Sequence, residues 1–161
     1  MKLASFKIGD RSTWGVIEND EALDVGALLG DRYPDLKSAI AGDALPSVRY
    51  ASQKAKRYPA AGITWLPVIP NPDKILCIGL NYETHRKETG RTEVENPTVF
   101  GRFANSQTGH LADIIRPTLS HDLDYEGELA VIIGKPGRHI ARADAWSQHR
   151  RLCLLQRRPR A

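Results

Sequence analysis

The segment DYEGELAVIIG, residues 124–134, constrains the fold more than any other stretch of the chain. It sets three acids ahead of an unbroken apolar run that ends at a glycine, which is the length and composition of a β-strand. Side chains two apart in a strand share a face, so Glu126, Glu128, Ala130 and Ile132 line one side and Gly127, Leu129, Val131 and Ile133 the other. Both glutamates therefore point the same way at the mouth of an apolar segment. At a separation of roughly 6 to 7 Å, set by the strand rise, they repel by about 2 to 3 kcal/mol at an effective dielectric near 20. A cation between them removes that cost. Solvation at an open sheet edge, where charges discourage sheet-to-sheet association, removes it as well. The spacing by itself leaves both readings open.

With 161 residues, 41% of them apolar, the chain is long enough to bury one sizeable core with a small appended domain. The start MKLASFKIGDR lacks the apolar stretch of a signal peptide, and no run approaches the roughly 18 residues that span a bilayer. The expectation is a soluble, cytoplasmic protein with no membrane partner. Cys77 and Cys153 have neither metal-type spacing nor a disulfide framework, and Cys77, inside KILCIGL, reads as a small buried hydrophobe.

The net charge of +4 does not belong to the body of the chain. Five of the 23 basic residues are arginines beyond Ser147, in a stretch without an acid, so the first 146 residues carry 18 basic against 19 acidic side chains. Any electrostatic case for a nucleic-acid partner rests on the tail SQHRRLCLLQRRPRA alone. The expectation is no nucleic acid. The alternative is a non-catalytic binding module that uses this basic tail to hold RNA or an acidic partner.

Along the chain, KLASFKI and TWGVIEN are strand-like runs around the turn-forming GDRS, and EALDVGALL begins a third strand or a helix. PSVRYASQKAKRY has helical composition with Arg49, Lys54, Lys56 and Arg57 on a solvated face. These elements make residues 1–66 a small α+β domain. Three prolines stiffen the connector, residues 67–73. KILCIGL then has the length of a buried strand, NYETHRKETG reads as a short helix closed by Gly90, NPTVFGRF as a further strand, and RADAW as the start of a helix. Residues 74–146 form the second domain and residues 147–161 a basic tail.

In the short helix His85 and Glu88 stand three apart and share a face. A carboxylate beside an imidazole orients it and favours its protonated form, which suits a general base near neutral pH. The same pair also occurs as an ordinary exposed helix contact.

The order of the parts is more specific: a strand, GLNYxxHxxE, PTVFxR, a loop bearing glycine and proline, then DYEGELAVIIG. This succession resembles the fumarylacetoacetate hydrolase family over residues 73–146. The resemblance implies a β-rich α+β fold, with that family's mixed β-sandwich roll incomplete here and a small N-terminal α+β domain beside it. It also implies that Glu126 and Glu128 hold a divalent cation, Mg²⁺ or Mn²⁺, to which hard oxygen donors are suited. Family substrates are 2-oxo acids such as acylpyruvates, and a Lewis acid stabilises the enolate left when the carbon–carbon bond breaks. By the same resemblance His85 and Glu88 activate water or shuttle the proton, and Arg102, where members often carry lysine, pairs with a substrate carboxylate. The implied enzyme is a hydrolase, isomerase or decarboxylase, a homodimer when complete and impaired or inactive in a truncated form.

Two stretches depart from the family pattern. GRFANSQTGHLADIIRP follows the usual substrate loop only loosely. After Trp146, where the family carries a segment like IAGYxxxND with a third metal carboxylate, this chain has SQHRRLCLLQRRPRA. One permitted codon set for residues 149–159, read without its first base, gives Ile-Ala-Gly-Tyr-Ala-Cys-Tyr-Asn-Asp-Ala. The tail thus resembles the product of a reading-frame slip, in a truncated chain that keeps two carboxylates and lacks the third. Resequencing the coding DNA around Trp146 tests this. Without closing strands, apolar edges would be exposed, and the expectation is poor solubility or obligate association.

Overall fold

The computed structural model describes residues 1–90, 92, 95–123 and 126–147, with the strand placement alone of 126–127 and 149–157. Strands β1 (Lys2–Ile8) and β2 (Arg11–Glu18) form an antiparallel hairpin in which Ile8 faces Arg11 across the two-residue turn Gly9-Asp10. A second two-residue turn, Asn19-Asp20, has φ of 50° and 61°, a left-handed pair that polar side chains tolerate and that matches the strand twist. It leads into β3 (Glu21–Asp24) and at once into α1 (Gly26–Leu29), so EALDVGALL supplies a strand and a helix in succession.

Helix α2 (Leu36–Ala41) opens on a reciprocal cap: Asp35 Oδ1 accepts from the Ser38 amide at 2.7 Å, and Ser38 Oγ accepts from the Asp35 amide at 3.2 Å. Helix α3 (Leu45–Ser52) is shorter than its composition predicts. Its basic continuation turns into β4 (Arg57–Pro59), because Arg57 finds carboxylates across the sheet, Glu21 at 2.9 Å and Glu18 at 3.7 Å. With β5 (Thr64–Trp65) the result is a five-stranded antiparallel sheet of order β4-β3-β2-β1-β5.

Both sheet faces are covered. On one, Trp14, Val16 and Leu23 meet Leu36, Ile40 and Val48 of the helices, and the Trp14 indole donates to the Tyr33 carbonyl at 3.0 Å. On the other, Ala4, Phe6 and Ala22 pack with Ile63 and Trp65. Asp24 is buried but satisfied: it accepts from the Thr13 hydroxyl at 2.6 Å, the Ala27 amide at 3.2 Å and the Arg11 guanidinium. The Arg11 side of that pair is raised above its ordinary value, chiefly by the bond to Asp24.

The proline-bearing connector lies along this domain. Val68 and Ile69 pack against the larger core, the Ser5 hydroxyl donates to the Val68 carbonyl at 2.8 Å, and Asn71 donates to Asp35 Oδ2 at 2.7 Å. Lys37 reaches Asp73 at 2.6 Å.

Beyond it come β6 (Ile75–Gly79), α4 (Glu83–Glu88), β7 (Thr98–Arg102), β8 (Glu126–Ile133) and β9 (His149–Arg157). β6 pairs antiparallel with β7 and β8 with β9, as two separate two-stranded sheets. The overall class is the expected β-rich α+β. One expectation is corrected here: KILCIGL is a strand but not a buried one, since only Cys77 is buried while Leu76 is 66% exposed. A two-stranded ribbon has no second layer to cover its faces, so apolar composition alone does not bury it. RADAW likewise opens a 3-10 turn, Arg142–Ser147, and not an α-helix. Among the described residues no helix is long and apolar enough to cross a membrane.

Candidate active site

The strand β6 delivers the chain to a turn at Leu80, with φ of 55°, and Asn81, after which α4 rises for six residues and stops before Gly90, with φ of 64°. Within α4, His85 and Glu88 are both exposed on one helical face, and among the described residues neither side chain has a hydrogen-bond or ion-pair partner. The ion pair that the helix does make is Glu83 to Lys87, at 2.6 Å.

Arg102 is half-buried at the end of β7. The register pairs Gly79 with Thr98 and Ile75 with Arg102. Arg102 thus sits at the opposite end of the ribbon from α4, about 13 Å along the strands. The structure does not bring it beside His85. The residues that do gather near the start of α4 are Gly79, Leu80, Asn81, Glu83 and Arg86, which wall a cavity of about 460 Å³. Sequence reasoning passed over Arg86, although the spacing of Glu83 and Lys87 around it was a visible signal.

Glu126 opens β8, and its side chain lies outside the described residues. Glu128 is half-buried, as are Ala130 and Ile132, whereas Leu129, Val131 and Ile133 are exposed, so the two faces of the strand alternate. Ile132 packs against the larger core of the N-terminal domain. Among the described residues no three His, Cys, Asp or Glu side chains group to hold a metal. The donor chemistry suits a hard cation: the Glu128 carboxylate is half-buried, and with Glu126 two residues earlier in the sequence it offers the oxygen ligands that Mg²⁺ or Mn²⁺ would take.

The loop after β7 is docked on the N-terminal domain. Gln107 donates to the Ile69 carbonyl at 3.1 Å, and the His110 ring meets Trp65 edge-on with centroids 5.4 Å apart. Gly109 passes so close to β5 that a Cβ there would stand 2.0 Å from the Trp65 carbonyl oxygen.

Comparison with known proteins gives these elements a context. Residues 74–149 match the model of the fumarylacetoacetate (FAA) hydrolase C-terminal domain. The chain is 40% identical over 87 residues to the human mitochondrial oxaloacetate tautomerase FAHD2A, which is 54% of this chain and 28% of that protein. It is 43% identical over 74 residues, 46% of this chain and 24% of the relative, to a fumarylacetoacetate hydrolase domain-containing protein 2 homolog of Dictyostelium discoideum. Among solved structures, maleylpyruvate hydrolase from Sphingobium sp. SYK-6, in complex with manganese(II) and pyruvate, superposes with a TM-score of 0.78 at 26% identity, over 98% of this chain and 58% of that one. Fumarylacetoacetate hydrolase from Exiguobacterium antarcticum gives a TM-score of 0.79 at 27% identity, over 98% and 56%. The matched segment is thus about a quarter of these relatives' sequences, and the chain spans somewhat over half of the solved structures. The similarity to the fumarylacetoacetate hydrolase family is thus carried by residues 74–149, which match the C-terminal domain of that family.

Proposed function

We propose that this chain carries part of the active site of a divalent-metal-dependent enzyme that acts on a 2-oxo acid of the acylpyruvate type. The observation that carries the reading is the half-buried Glu128 on β8, two residues after Glu126 in the sequence and in the same matched segment as the His85/Glu88 helix. The manganese(II) and pyruvate bound by the Sphingobium maleylpyruvate hydrolase support the choice of cofactor and substrate class, and the oxaloacetate tautomerase name of the human relative supports isomerisation beside hydrolysis and decarboxylation.

A bound Mg²⁺ or Mn²⁺ supplies Lewis-acid polarisation of the substrate oxygens. The chain's own residues do the rest. Glu126 and Glu128 contribute the hard oxygen ligands. His85 takes the proton at an imidazole nitrogen as general base, with Glu88 on the same face of α4 in reach to orient the ring. Arg102 pairs with a carboxylate of the substrate. The enzyme works in the cytoplasm as a homodimer, which the exposed apolar strand faces favour.

Calorimetric titration of the full chain with Mn²⁺ tests this. One-site uptake that disappears in both Glu126→Gln and Glu128→Gln is the expected result. Uptake that is absent in the parent chain, or unchanged in both variants, overturns the reading.

A further inference from the structure

The cavity at the start of α4 has a charge imbalance. Two ionised side chains of the helix line it, Glu83 and Arg86, and among the described residues only Glu83 has an ion-pair partner. The Glu83 carboxylate is taken by Lys87, one turn further along, at 2.6 Å. Arg86 is half-buried, and among the described residues no carboxylate pairs with it. Its surroundings are otherwise mixed: Ile78, Leu80 and Pro97 give an apolar wall, and Asn81 adds an amide. A volume of about 460 Å³ lies within the range of small-molecule sites.

A guanidinium offers a planar fork of donors that matches one carboxylate. An apolar wall suits a short carbon chain, and an amide suits a carbonyl or hydroxyl beside it. We propose that this cavity binds the terminal carboxylate of a small dicarboxylic acid, with Arg86 as its anchor. The inference rests on the function proposed above only in taking that acid to be a 2-oxo acid of the substrate's class, bound at a place apart from Arg102. His85 and Glu88 do not line the cavity, and the ribbon separates it from Arg102. The Glu83–Lys87 pair becomes part of the device, because it keeps the nearest carboxylate from closing on Arg86.

The test is a titration of the full chain with 2-oxoglutarate in the presence of a chelator, read by calorimetry and by the ¹⁵Nε shift of Arg86. The chelator separates this site from the metal: binding that persists while Mn²⁺ uptake fails sinks the metal reading alone. Arg86→Gln is expected to weaken binding by about tenfold to a hundredfold, the loss typical of a charge-assisted bond. Arg86→Lys should recover part of that loss, since it restores the charge without the fork. Lys87→Gln should weaken binding about twofold, because the freed Glu83 then competes for Arg86 at i,i+3. Affinity unchanged in Arg86→Gln, or no 2-oxoglutarate binding by the parent chain, overturns the proposal.

Discussion

Residues 1–69 and residues 74–157 are built from equally strand-forming sequence, yet they end in opposite conditions. In the first, a five-stranded sheet is covered on both faces, and Phe6, Trp14, Leu23 and Val48 are almost wholly withdrawn from water. In the second, β6–β7 and β8–β9 are isolated ribbons, and Cys77 is the one buried apolar side chain among the described residues. Local pattern is enough to make a strand. Covering it takes a second layer, and among the described residues the second region draws its cover from the first: Ile132 against the larger core and the Gly109 loop against β5.

The contrast is broken most directly by truncating one side chain in each region. Trp14→Ala should cost about 3 to 5 kcal/mol in chemical denaturation, since it leaves a cavity and an orphaned Tyr33 carbonyl. Leu129→Ala, at a side chain 53% exposed, should stay within about 0.5 kcal/mol. Equal losses at the two sites would mean that β8 is covered in solution by something outside this chain.

A middle-sized effect is expected where the regions touch. Gly109→Ala forces its Cβ against the Trp65 carbonyl, so the loop must lift off β5 at a cost of about 1 to 3 kcal/mol. Limited proteolysis should then cut residues 104–123 faster while the N-terminal sheet stays resistant. Unchanged cleavage would show that the loop is not held there.

The smallest effect sharpens the picture of the connector. Partial burial pushes the Asp35 carboxyl up, but the Ser38 amide, the Asn71 side-chain amide, the Ser38 hydroxyl and Lys37 together outweigh it and hold the group below its ordinary value. A depressed folded-state value means stability that is present above the unfolded carboxyl's pKa of about 3.9 and is lost as pH falls through the folded one. Asp35→Ala should therefore cost about 1 kcal/mol near neutral pH, and the difference from the parent chain should shrink below about pH 4. A difference that does not change with pH would rule out the ionised cap as its source.

The sequence makes the hairpin around Gly9, the helix ending at Gly90 and the alternation of β8 legible because each depends on neighbours within a few residues. Helix α2 was harder to see, since it is six residues long and its cap uses Ser38 where a glutamate would have been a clearer sign. β4 was hidden in a basic stretch because its carboxylate partners, Glu18 and Glu21, lie more than thirty residues upstream. The same limit governs the site. His85, Glu88 and Glu128 are legible as a succession of motifs, but the position of Arg102 far from α4 follows from strand register, and the lack of a partner for Arg86 among the described residues follows from which acid Lys87 occupies. Exposure was the least legible property of all, as Leu76 shows.

One modest contact, Ile132 seated on the N-terminal core, has a further effect. Glu128 projects from the same side of the strand four residues earlier, so the seat works as a rivet: a roll of β8 about its own axis that swung the carboxylate away would have to pull the isoleucine out of its socket. The first domain, which contributes no acid to the glutamate pair, thereby sets the direction in which Glu128 points.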